Sequence, residues 1–84
     1  MRYYAQFYSL VQNANGDWSY QEGCGDRQII RIDGRHNIHV MHDIAADECR
    51  VRKYDGYRIG RGERLDDLFW LTAAVKPLPR EVKA

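Results

Sequence analysis

Residues 53–65 read KYDGYRIGRGERL, and two different folds follow from two readings of them. Three glycines and four basic residues in thirteen positions suit a loop whose backbone N–H groups cradle a phosphate. They equally suit a turn and a strand, with glycines where the backbone bends or passes close to a neighbour. A phosphate loop of the Walker type ends in Gly-Lys-Ser/Thr at the start of a helix. Here Gly60 and Gly62 are followed by Glu63, an acid where the anion would sit. The dinucleotide fingerprint fails as well, since no third glycine follows and no βαβ unit surrounds the stretch. The turn-and-strand reading stands: Asp55-Gly56 is the expected helix stop, and YRIGR the strand after it.

Immediately upstream, Ile38, Met41, Ile44, Ala45 and Cys49 recur at three- and four-residue steps, with Val40 and Val51 widening the stripe. That periodicity predicts an amphipathic helix. Asn37 is its expected N-cap, and Arg50, Arg52 and Lys53 lie at its C-terminal end, where cations suit the helix dipole. Before the helix, RQIIRID (27–33) alternates Ile30 and Ile32 on one face with Ile29 and Arg31 on the other, a strand pattern. RYYAQFYSLV (2–11) is short and aromatic, again a strand. It places Tyr3, Ala5 and Phe7 on one side and Tyr4, Gln6 and Tyr8 on the other. Asn15-Gly16 is a hairpin signal, because both residues tolerate positive φ, and Trp18 and Tyr20 share a face of the returning strand. The glycines around Cys24 predict a bend or bulge.

Downstream, LFWLTAAV (68–75) reads as a last strand or a short helix, and the residues after Lys76 as an extended tail carrying Pro77 and Pro79. The predicted order is β-β-β-α-β-β. This is an α+β domain over residues 1–76, with about five antiparallel strands, one helix packed on one face, and a tail over 77–84.

The 84 residues are 44% hydrophobic and 30% charged, the balance of a folded soluble domain. A net charge of +1 argues against a strongly basic nucleic-acid binder and equally against an acidic mimic of DNA. The two cysteines, Cys24 and Cys49, the lack of a signal-like N-terminus and the lack of a long apolar run point to a cytoplasmic protein with reduced thiols. One disulfide between them is the alternative.

Catalytic chemistry is sparse. His36, His39 and His42 stand three residues apart and drift around a helix, so they do not converge on one metal; no zinc-type spacing is present. His42 is two helical turns from Cys49, too far to activate a thiol. Asp47-Glu48 and Asp66-Asp67 are chain neighbours that point apart. The expectation is a non-enzymatic protein without cofactor or metal. More informative is the basic run: residues 50–64 carry six cations against Asp55 and Glu63, a net +4, with tyrosines between, suited to phosphate contacts and base stacking. A helix covers only one face of a sheet, so Tyr4 and Tyr8 are expected on the second face near Arg31 and Arg58, either open to a partner or covered by the C-terminal tail. Tyrosine and arginine together are what protein interfaces favour.

CGDRQIIRIDGR (24–35), the helix, and YDGYRIGRGER (54–64), with the YYAQFY opening, resemble a family of small uncharacterised proteins from phages and prophages. The resemblance spans Arg2 to about Val75 and implies no catalytic residues. In size, cytoplasmic character and lack of a catalytic centre the chain is also similar to anti-CRISPR proteins. The expectation is an inhibitor of a host defence complex (a CRISPR surveillance complex), acting by steric occlusion in the infected cell. Tyr4, Tyr8 and Arg31 would anchor it, and Arg58, Arg61 and Arg64 would supply charge complementarity. The alternative is a nucleic-acid-binding accessory protein using residues 50–64.

Overall fold

A computed structural model describes residues 2–22, 28–72 and 74–78; the bend expected around Cys24 and the tail beyond Leu78 lie outside the described residues. The elements are β1 (Arg2–Gln12), β2 (Trp18–Glu22), β3 (Ile29–Ile32), α1 (Ile38–Val51), β4 (Gly56–Gly62), β5 (Phe69–Trp70) and β6 (Lys76–Pro77). The architecture is α+β, one helix on an antiparallel sheet, as the sequence predicts. The sheet has six strands rather than five. The extra one, β6, lies where a surface tail was expected: Lys76 pairs with Tyr57 and Pro77 with Gly56.

β1 is the spine. Along one edge it pairs first with β3 (Tyr3 to Gln6) and then with β2 (Tyr8 to Gln12). Along its other edge it pairs with β4 from Arg2 to Tyr8. The register puts Tyr3, Ala5 and Phe7 in rows with Ile30, Ile32, Tyr57 and Ile59, and α1 lays Met41, Ala45 and Cys49 against that face. Ala5, Phe7 and Ile59 are fully buried, so this face holds the core.

The β1–β2 hairpin turns on five residues, Asn13 to Asp17. Gly16 N–H donates to Asn13 O, the Asn13 side chain accepts from the Asn15 and Asp17 N–H groups, and Gly16 alone takes positive φ (85°). This is a longer turn than the two-residue type the Asn-Gly pair predicts. Asn37 caps α1 as expected, accepting from Val40 N–H at 2.9 Å. The other end differs. Lys53, with φ 63°, is the left-handed residue. Its N–H donates to Arg50 O and that of Tyr54 to Cys49 O, a Schellman closure. Gly56 is the first residue of β4 rather than the helix stop. Val51 is exposed and does not widen the apolar stripe. Among the described residues, no helix is long and apolar enough to cross a membrane.

Candidate functional site

The stretch 53–65 decides how the second face of the sheet is built. Strand alternation aims Tyr57, Ile59 and Arg61 toward the helix side, and Gly56, Arg58, Gly60 and Gly62 away from it. Arg58 is therefore the only side chain β4 adds to its second face. A Cβ on Gly60 would lie 3.1 Å from Leu68 Cβ and Trp70 Cε3, one on Gly62 2.8 Å from Asp67 O, and one on Gly56 2.6 Å from Val75 Cγ1. The bare backbone lets later segments of the chain lie across it.

The second face is consequently not open. Tyr4 and Tyr8 occupy it as predicted, but both are buried, Tyr8 to 5% exposure, and offer a partner little surface. Gly60 stands between Tyr4 and Trp70 in one cross-strand row. The Arg58 guanidinium carbon lies 4.5 Å from the Trp70 ring centroid and 5.5 Å from that of Tyr8, and Nη2 donates to Tyr8 Oη at 3.4 Å. Its Nε is buried and has no hydrogen-bond partner among the described residues. Burial raises the Tyr8 pKa above its ordinary value, against the opposing pull of the Arg58 charge and hydrogen bond. Arg58 is thus an internal brace.

The six predicted binding residues do not form one surface. Arg31 is exposed beside Arg2, Asp33 and Arg35, which together line a cavity of about 500 Å³. Arg35 there is held by Asp33 (Nη2 to Oδ2, 2.9 Å), and that contact drops the Asp33 carboxyl to about 2. Arg61, on the helix side of β4, lies 5.5 Å from the ring centroid of Phe69, which is 64% exposed. Arg64 reaches only a loose contact with Asp66, at 3.9 Å. The register nevertheless gathers Arg2, Arg31, Arg61 and Phe69 at one end of the sheet, on its two faces. Sequence reading missed Arg2, Arg35 and Phe69, because only long-range pairing brings them together.

The remaining candidates have structural roles. Cys49 is a free buried thiol donating to Gly56 O at 3.4 Å; burial, then the Asp55 charge, pushes its pKa up to about 11, so it is no nucleophile at neutral pH. Cys24 lies outside the described residues. His42 Nδ1 is 3.0 Å from Tyr57 Oη, and burial, then the charge of Lys76, lowers its pKa. No group of three or more His, Cys, Asp or Glu among the described residues could hold a metal ion. Comparison with protein-family models, with curated proteins and with solved structures finds no match to the chain.

Proposed function

We propose that this chain is a non-enzymatic binding protein that docks on another protein through the end of the sheet where Arg61 and Phe69 stand. The observation that carries this reading is the exposed Phe69 ring held against the Arg61 guanidinium on paired strands. An aromatic side chain and an arginine, presented by a rigid element, lose little freedom on binding and are the residue types that dominate interface energetics. The resemblance to small phage proteins gives the biological setting: an inhibitor of a host defence complex, of the anti-CRISPR kind, working by steric occlusion in the cytoplasm of the infected cell. Pull-down with the tagged chain from nuclease-treated host lysate tests it. Stoichiometric recovery of defence-complex subunits, reduced by Phe69→Ala with Arg61→Ala at unchanged thermal stability, is the expected result. Recovery of no protein, or recovery unaffected by the double substitution, refutes it.

One observation favours a second reading. Arg2 and Arg31 line the cavity they share with Arg35 and make no ion pair with another described residue, which suits phosphate contacts of a nucleic acid. Such contacts weaken steeply with added salt. Salt-insensitive capture in the same pull-down rules that reading out.

A further inference from the structure

The Asn15-Gly16 pair at the tip of the β1–β2 hairpin carries chemistry of its own. An asparagine carboxamide is an electrophile for the backbone nitrogen of the residue after it, and glycine obstructs that attack least because it has no Cβ. An aspartate before glycine is open to the same ring closure. The chain holds three such pairs, Asn15-Gly16, Asp33-Gly34 and Asp55-Gly56, and the structure separates them. Asp33 has both carboxylate oxygens on the Arg35 guanidinium, and Oδ1 also accepts from the Arg35 backbone N–H at 3.0 Å. Asp55 Oδ2 accepts from Leu10 N–H at 2.7 Å, and Gly56 after it is buried in β4, paired with Tyr8 and Pro77. Neither carboxyl can turn onto the next backbone nitrogen without breaking these contacts, and an ionised carboxylate is a poor electrophile.

Asn15 differs on each count. It and Gly16 are exposed, and Asn15 enters the turn through its backbone N–H, which donates to Asn13 Oδ1 at 3.0 Å. Gly16 N–H donates to Asn13 O at 3.0 Å, and a backbone bond at an exposed loop tip opens with little free energy. The other two asparagines are held. Asn13 Oδ1 accepts from the Asn15 and Asp17 N–H groups and precedes Ala14, while Asn37 Oδ1 caps the helix on Val40 N–H and precedes the β-branched Ile38. We propose that Asn15 is a site of self-catalysed deamidation, selected by the hairpin tip. The Gly16 nitrogen forms a bond to Asn15 Cγ and the carboxamide C–N bond breaks. The Gly16 amide proton passes through solvent to the departing nitrogen, which leaves as ammonia. Water then opens the cyclic imide at either carbonyl, giving aspartate or isoaspartate. Each event replaces a neutral amide by a carboxylate and takes the formal net charge from +1 to zero. Isoaspartate also adds a backbone carbon to the turn that sets the Gln12–Trp18 pairing. The site lies at the opposite end of β1 from Arg61 and Phe69 and is independent of docking there.

Incubation of the full chain at physiological temperature and mildly alkaline pH, followed by ion-exchange chromatography and peptide mapping by mass spectrometry, tests it. The expected result is one new species with one positive charge fewer, with both aspartate and isoaspartate found at position 15 and the amides of Asn13 and Asn37 intact. Its isoaspartate fraction should melt below the parent, because the turn no longer fits the β1–β2 register. Among the described residues Lys53 is the one non-glycine with positive φ, so Asn15 has ordinary backbone angles and Asn15→Gln keeps the turn. That variant, which would have to close a larger ring, should lose the acidic species at an unchanged melting temperature. Asn15→Asp should elute with the acidic species before any incubation. A chain that gains no acidic species, conversion mapped mainly to Asn13, Asn37, Asp33 or Asp55, or an acidic species formed as fast in Asn15→Gln overturns the assignment.

Discussion

The Arg58 guanidinium lies between the Tyr8 and Trp70 rings, 5.5 and 4.5 Å from their centroids, and so fastens β5 to the central strand through side chains. Planarity makes this arrangement possible: guanidinium stacks where an ammonium cannot. Arg58→Ala should cost about 1–3 kcal/mol through lost stacking, packing and the Tyr8 hydrogen bond. Arg58→Lys should recover less than half of it. Urea denaturation followed by tryptophan fluorescence measures both, and an alanine variant as stable as the parent would show that the rings hold β5 without the arginine.

Packing across β4 makes a second prediction. A Cβ at Gly56 would meet Val75 Cγ1 at 2.6 Å, and Lys76 O and Tyr20 Cε1 at 3.1 Å. Backbone and ring cannot yield as a flexible side chain does, so Gly56→Ala should destabilise by about 1–3 kcal/mol. Gly60→Ala, facing side chains at 3.1 Å, should cost less. Equal stability of Gly56→Ala and the parent would mean that β6 does not pack on β4 in solution.

These two sites mark where the sequence was legible. Asn37, the Asn15-Gly16 turn and the Met41–Ala45–Cys49 stripe announce themselves locally, because each is decided by residues within one or two turns of chain. The alternation of Gly56, Arg58, Gly60 and Gly62 is also visible in the sequence. What it permits is not, since Leu68, Trp70 and Val75 reach that face only through long-range packing. Tyr4 and Tyr8 stand on the expected face, and which segments cover them was not legible for the same reason. Asp55 shows a related limit. Beside a glycine it looks like part of a helix stop, yet its Oδ2 accepts from Leu10 N–H at 2.7 Å and its carbonyl from Leu78 N–H at 3.0 Å, tying β1 to the residue after β6.

The helix end offers a stabilising change. Lys53 holds φ 63° in the Schellman closure, a conformation that is strained for a residue with a Cβ. Its side chain is exposed, so little packing is lost on truncation. Lys53→Gly should therefore raise stability by about 0.5–1 kcal/mol. Thermal melts of the two proteins decide this, and a lower melting temperature for the glycine variant would place the helix end in another conformation.

The pairing of His42 with Tyr57 sets a pH dependence. Burial, with the charges of Lys76 and His39 acting the same way and Asp43 opposing, lowers the His42 pKa below its ordinary 6.5. The folded chain then holds this proton less tightly than the unfolded chain, so the unfolded state binds more protons in the window just below 6.5. The contribution of His42 to stability is complete above that value and is lost as the pH falls through the window toward the lower folded pKa. Protonation also leaves Nδ1 able only to donate across the 3.0 Å contact with Tyr57 Oη. Urea midpoints measured across the window should fall with acidification in the parent. In His42→Gln, which does not titrate there, the curve should be flatter by the part that His42 contributes. Identical pH profiles for the two proteins would mean that the imidazole is as well solvated in the folded chain as in the unfolded one.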